Sequence, residues 1–284
     1  MADNKTIQKI FSLSDFRKKQ LLGEVPERTR ETYREYGYFL GIGGPLNRLD
    51  YSNDTTTTNR RTSVNQYFSG GAGNSNFGYI MGGNKSGFNY ITDIKRIDYS
   101  NDTNILSRGG LTIGRSYTGA TGNSNFGWFG GGYNNSPNAI FSRIDRIDFA
   151  NDSATASVRG TLSQARNGLS ATGNSNYGWF GGGGSPNRST VDRSDFSNDS
   201  NTLLIRGTLS FAKFGLSATG NSNYGWFGGY ATGAGVDRID FSNDLATASV
   251  RGPLSSAKYD LGATSGQAKS SSIRLQKAGN FGWF

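Results

Sequence analysis

Gly173-Asn174-Ser175-Asn176-Tyr177-Gly178-Trp179-Phe180 is the stretch that decides the fold, because it recurs. Its first half is a turn whose Gly, Asn and Ser tolerate positive φ, and its second half is a short aromatic strand. Close copies begin at Gly73, Gly122 and Gly220. Their aromatic halves follow Asn76, Asn125, Asn176 and Asn223, so successive copies lie 49, 51 and 47 residues apart. A period near 50 residues describes an array of small supersecondary units, with propeller blades the leading candidate.

Outward from this stretch, one unit reads as four strands. Gly168 to Thr172 is short and β-prone, and Tyr177 to Phe180 forms a second strand ended by the glycines at 181–184. Thr190 to Phe196 is a third, followed by the turn Ser197-Asn198-Asp199, and Thr202 to Ile205 is a fourth. Four short antiparallel strands with tight turns describe a blade. The other copies agree. Third strands end in Leu49-Asp50-Tyr51, Ile97-Asp98-Tyr99, Ile147-Asp148-Phe149, Ser194-Asp195-Phe196 and Ile239-Asp240-Phe241, each followed by an Asn-Asp turn. The link to the next unit, Arg159 to Arg166, returns at Arg206 to Lys213 and Arg251 to Lys258. Strand alternation sets Ile239 and Phe241 on one face and Arg238 and Asp240 on the other, where Arg and Asp can pair between strands or blades.

Five third strands predict an all-β, five-bladed propeller over residues 36–264. The array is entered at the second strand, Tyr36 to Phe39, and the first strand at Leu261 to Thr264 then completes the N-terminal blade, which removes an open edge. Residues 265–284 are an extension ending in a sixth copy of the second strand, Phe281 to Phe284. A six-bladed ring completed by a partner chain is the alternative.

Residues 1–35 differ in kind. Ser12 or Ser14 can cap a short helix stopping near Gly23, and Pro26 suits the first turn of a second. Ile7, Ile10, Phe11, Phe16 and Leu21 make this helical arm an anchor onto a larger assembly, or a cap on one end of the propeller.

Composition excludes several classes. The chain has 284 residues, no Cys and no His, which removes disulfides, thiolate metal sites, a cysteine nucleophile and the usual general base. A copper oxidase needs imidazole ligands. A glycosidase needs two carboxylates in unlike surroundings, whereas the Asp residues here repeat in like ones. No cofactor, metal or catalytic residue is expected. The formal charge of +9 is spread over the repeats rather than gathered in a block, which argues against a nucleic-acid cleft. No signal peptide or membrane-spanning stretch is evident. Trp128, Trp179 and Trp226 hold one equivalent position and read as core rather than as a sugar-stacking ring.

Aromatic strand, Gly-Gly pairs at 82–83, 130–131, 181–182 and 228–229, and a strand ending in Asp-aromatic together resemble the kelch repeat over roughly residues 36–264. The fourth-strand Trp usual in that repeat is absent. Val236 to Ser255 and the opening Ile7 to Asp15 are similar to kelch-like repeat proteins of marine tailed bacteriophages, including cyanophages. The resemblance implies a virion component, of the tail or another external structure, assembled in the host cytoplasm. Its implied partners are other virion proteins, met by many copies per particle.

Divergence between copies concentrates between the second and third strands. Contact residues are therefore expected at Asn84, Lys85, Phe88, Tyr90, Tyr133, Asn134, Asn135, Asn138, Asn187, Arg188 and Tyr230. Their Tyr and Asn content suits protein or host-glycan contact, and neutral loop drift is the competing reading.

Overall fold

A computed structural model describes residues 36–40, 45–50, 59–63, 66–85, 89–101, 105–230, 233–257, 264–265 and 282–283. The expected helical arm with its anchor residues, and Phe88, lie outside the described residues. The fold is all-β. Among the described residues the only helical elements are two three-residue 3₁₀ turns, and no helix is long and apolar enough to cross a membrane.

The chain opens with β1 (Tyr36–Leu40), β2 (Pro45–Asp50) and β3 (Asn59–Ser63), a three-stranded sheet. Blade 1 follows as β4 (Gly70–Gly73), β5 (Phe77–Met81), β8 (Asp93–Asp98) and β9 (Ile105–Gly110), with the small hairpin β6 (Asn84–Lys85) and β7 (Asn89–Tyr90) between its second and third strands. Blade 2 is β10 (Gly119–Gly122), β11 (Phe126–Gly130), β14 (Arg143–Asp148) and β15 (Ser157–Thr161), with the hairpin β12 (Tyr133–Asn134) and β13 (Ala139–Ile140). Blade 3 is β16 (Ser170–Gly173), β17 (Tyr177–Gly181), β18 (Arg188–Asp195) and β19 (Leu204–Lys213). Blade 4 is β20 (Ser217–Gly220), β21 (Tyr224–Tyr230), β22 (Gly233–Asp240) and β23 (Ser249–Arg251). The last pair is β24 (Thr264–Ser265) with β25 (Gly282–Trp283).

These sheets form a propeller-like ring. The first strands β4, β10, β16 and β20 neighbour one another in turn, and each second strand also lies against the first strand of the blade before it. The expected partner of the strand at Thr264 was β1. Thr264 pairs instead with Trp283, and Ser265 with Gly282. The reason is visible in the register. Thr121 faces Trp128, Thr172 faces Trp179 and Thr219 faces Trp226 in the same way, so the sixth copy of the motif fits that edge as well as any second strand does.

The core lies between blades rather than within them. Trp128, Ile144, Leu162, Leu169, Ala171, Phe180 and Leu203 form one cluster drawn from blades 2 and 3, and an equivalent cluster around Trp179 and Phe227 joins blades 3 and 4. Glycines in the second strands make the approach close enough: a Cβ on Gly181 would stand 2.8 Å from the Phe227 ring.

Each interface is also clasped by the turn of the following blade. Phe196 stacks on Trp128 at 3.8 Å, and the Trp128 indole N–H donates to Asp199 at 2.7 Å. Arg146 pairs with the same carboxylate at 3.0 Å, Arg159 approaches at 3.7 Å, and the backbone of Gly160 donates to the Asp199 carbonyl. The set repeats with Phe241, Trp179, Asp244, Arg193, Arg206 and Gly207. It repeats again with Phe149, Tyr79, Asp152, Arg96, Arg108 and Gly109, where the Tyr79 hydroxyl replaces the indole. Burial against that carboxylate pushes the Tyr79 hydroxyl pKa far up. The strand-end Asp residues serve differently: Asp98, Asp195 and Asp240 each accept the backbone N–H and hydroxyl of a Ser two residues on. Those hydroxyls hold the three carboxyls below the usual range. Trp128 and Trp179 are fully buried, as a core role requires, whereas Trp226 is only partly covered.

Candidate functional site: the loop face

The loops between second and third strands share one end of the ring with the links that enter each blade. The two are hydrogen-bonded directly: Tyr67 bridges to Asn84, Ser116 to Tyr133 and Asn167 to Gly184. Beside these bridges a backbone rim passes from blade to blade. Tyr117 N–H donates to the Phe68 carbonyl at 2.8 Å, Gly168 to Tyr117 at 2.9 Å and Gly215 to Gly168 at 2.9 Å.

All four rim residues have positive φ, at 54°, 59°, 61° and 70° for Phe68, Tyr117, Gly168 and Gly215. Glycine accepts this conformation freely, while an L-residue with a side chain pays roughly 1–2 kcal/mol. Phe68 and Tyr117 nevertheless stand there, stacked at 4.2 Å with 21° between their planes. Such a stack returns about 0.5–1.5 kcal/mol, so it offsets strain without making a case for the two rings by itself. Phe214 lies across the neighbouring rim, where a Cβ on Gly168 or Gly184 would collide with its ring. Its centroid is 6.5 Å from Tyr117. Phe68, Tyr117 and Phe214 are all half-buried, leaving an aromatic cluster at the surface.

Around it stand the residues expected from the sequence. Tyr90 meets Tyr133 edge-on at 5.7 Å, and Tyr133 donates its hydroxyl to Asn138 at 3.0 Å. Burial, then the neighbouring Tyr133, raises the Tyr90 pKa. Asn135, Asn138 and Asn187 are exposed. Arg188 is half-buried, with its Nε making no hydrogen bond. Lys85 pairs with Asp93 at 3.3 Å in an exposed bridge, worth little. Tyr230 meets Phe211 edge-on at 4.7 Å. Asn84 is buried, and Asn134 is buried with its amide donating to the Gly114 carbonyl and its oxygen accepting from the Ser136 backbone N–H.

Beneath the face lies a buried ion pair in each of blades 2 to 4. Arg115–Asp145, Arg166–Asp192 and Lys213–Asp237 stand at 3.0, 3.1 and 3.0 Å with all side chains fully covered. Each carboxylate also accepts a backbone N–H and a hydroxyl, from Thr112, Ser163 and Ser210. Burial lowers the Arg115 and Arg166 pKa values, and the paired aspartates oppose it. Blade 1 departs at both positions together. Gln66 replaces the cation and donates to the Asp93 carbonyl, while Lys95 replaces the carboxylate and turns to Ser107. A lone buried charge is costly, so the two positions change as a unit.

Sequence reasoning missed Phe68, Tyr117 and Phe214 because the links read as uniform from Arg159 to Arg166. For Phe68 and Tyr117 the signal lay two positions past Gln66 and Arg115, where blades 3 and 4 carry Gly168 and Gly215; Phe214 stands one position earlier in its link. Among the described residues no group of three or more acidic side chains converges as a metal site would. No protein-family model matches the chain, and no curated protein matches it.

Proposed function

We propose that this protein is a non-enzymatic structural and adhesive component of a tailed-phage particle, held to neighbouring virion proteins by its N-terminal arm and presenting the loop face to the host surface. The carrying observation is the contrast between a scaffold repeated almost unchanged and one face where divergent Tyr, Phe and Asn gather. Uniform positions serve the fold, and loops on a rigid scaffold are free to specialise. The buried carboxylates support a role without catalysis, since Asp145, Asp192 and Asp237 are committed to ion pairs and Asp152, Asp199 and Asp244 to the clasps. Resemblance to phage kelch-like repeats supplies the setting, and many copies on a particle multiply modest affinities. The reading holds for a ring of five blades, the count the third strands favour, and for six.

The test is particle assembly with full-length protein and with a chain starting at Tyr36. Incorporation of the full-length protein alone, with both folded, supports an N-terminal anchor. Equal incorporation moves the contact to the propeller, and association of neither sinks the virion reading.

The aromatic cluster favours a second reading, a lectin for host surface glycan. Half-exposed rings held in a strained backbone suit stacking against sugar faces. Host polysaccharide binding that Tyr117→Gly abolishes would favour it.

A further inference from the structure

The residues that form each clasp recur on the far side of blade 4 as Trp226, Arg238, Arg251 and Gly252, but their surroundings differ. Trp226 is partly exposed and its ring meets only Tyr224 of its own strand among the described aromatics. Arg238 lies over the Tyr224 ring at 4.3 Å, as Arg193 lies over Tyr177, but where Arg193 pairs with Asp244 no carboxylate among the described residues pairs with Arg238. Arg251 is exposed. A Cβ on Gly109, Gly160 or Gly207 would collide with the following blade's turn, whereas one on Gly252 would meet nothing within 4 Å. Four signs thus agree that no clasp among the described residues covers this face.

Strand placement explains why. β24 and β25 both lie against β20, as the first and second strands of each blade lie against the first strand before them. β1 in turn lies against β24, as a second strand does one position further round. Among the described residues β25 pairs only with β24, and β1 only with β2. The pair β24–β25 therefore holds the first two strand positions after blade 4, and β1–β2–β3 holds the last three of the position beyond. The count agrees. Second-strand aromatics at the clasp position number six (Tyr38, Tyr79, Trp128, Trp179, Trp226 and Trp283), against five Asn-Asp turns.

We propose that the outward face of blade 4, with the free edge of β25, is a docking site for the outer half of a further repeat supplied in trans. The partner is a polypeptide strand pair of defined chemistry. Its first strand adds antiparallel to β25, and its aromatic stacks on Trp226. The Asp of its turn accepts the Trp226 indole N–H and pairs with Arg238 and Arg251. The contact continues an interface this chain builds three times, and its carboxylate complements half-buried Arg238 and exposed Arg251, which have no ion-pair partner among the described residues. Strand addition supplies affinity through the backbone, and the aromatic and carboxylate supply selectivity. This site stands independently of the adhesion reading.

The probe is a synthetic peptide with the sequence of residues 235–252, the outer half of blade 4, titrated into the full chain. Saturable binding is expected, with a blue shift of Trp226 emission. Phe241→Ala or Asp244→Ala in the peptide, and Trp226→Ala in the protein, should each weaken it at least about tenfold, a loss of about 1.4 kcal/mol or more. No binding, or equal binding by all peptides, overturns the proposal. A second measurement uses the absence of native Cys. Thr264→Cys with Trp283→Cys should form a disulfide, and Thr264→Cys with Tyr38→Cys should not. A 38–264 disulfide within one monomer would put β1 in the place of β25 and close the ring on itself, which also overturns the proposal.

Discussion

Trp179 and Trp226 sit at the same position of adjacent blades, each facing an Arg of its third strand, and they live in different worlds. Trp179 is fully buried, stacked on Phe241 and hydrogen-bonded to Asp244, while Trp226 is partly exposed beside Tyr224. The lesson is that a blade does not own its aromatic core. The following blade supplies the stacking ring, the acceptor and the counter-charge, so stability is a nearest-neighbour property, as in other repeat arrays.

That comparison breaks most readily at the tryptophans. Trp179→Ala should cost about 3–5 kcal/mol in chemical denaturation, and Trp226→Ala under about 2 kcal/mol. Equal losses would show that blade 4's outward face is covered in solution. The clasp carboxylate comes next. Asp244→Ala strands the Trp179 indole, Arg193 and Arg206 and should cost about 2–4 kcal/mol, whereas Arg238→Ala should stay within about 0.5 kcal/mol of wild type. A large loss at Arg238 would mean that it has a partner.

The loop face should respond in the opposite sense. Tyr117→Gly relieves a strained backbone but loses a stack, so stability should change by less than about 1 kcal/mol. Binding to host surface or glycan should fall clearly. Unchanged binding would remove the aromatic cluster from the proposed function.

The smallest effect is in acid. Asp98, Asp195 and Asp240 have carboxyl pKa values lowered by hydroxyl hydrogen bonds from Ser100, Ser197 and Ser242. A group whose folded pKa is depressed adds stability that is complete above its unfolded value, about 3.9, and is lost as pH falls through the folded one. Ser100→Ala, Ser197→Ala and Ser242→Ala combined should flatten the pH dependence of thermal unfolding below about pH 4. An unchanged slope would assign acid sensitivity to the clasps instead.

The strand pattern was legible because the period and the turn chemistry are local. The second strand at Tyr177–Gly181 and the third at Arg188–Asp195 lie within a residue or two of their expected bounds. The burial of Trp128 and Trp179 was legible from their equivalence. Partnerships across blades were not, because Trp128 meets an aspartate 71 residues later and no short-range pattern records that. Alternation puts Arg146 on one face with Asp148 and Asp145 on the other, as it does Arg238 with Asp240, but it could not say what either aspartate meets: Asp145 anchors Arg115 below the loop face, and Asp148 caps a turn. At the rim, Phe68 and Tyr117 take a conformation that residue type argues against, so composition pointed away from them. Ring closure was open for a simpler reason, since Tyr36–Phe39 and Phe281–Phe284 carry nearly the same word.

The clasps also set a schedule for synthesis. A ribosome that has just added Trp128 must add 71 more residues before Asp199 exists to receive its indole. At roughly 5–20 residues per second that is a wait of about 4–14 s, longer once the exit tunnel is counted. Through that interval each newest blade presents an uncovered aromatic and an unpaired arginine to solvent. Folding therefore trails translation by about one blade along the array, and the aromatic surface at risk of aggregation moves with it.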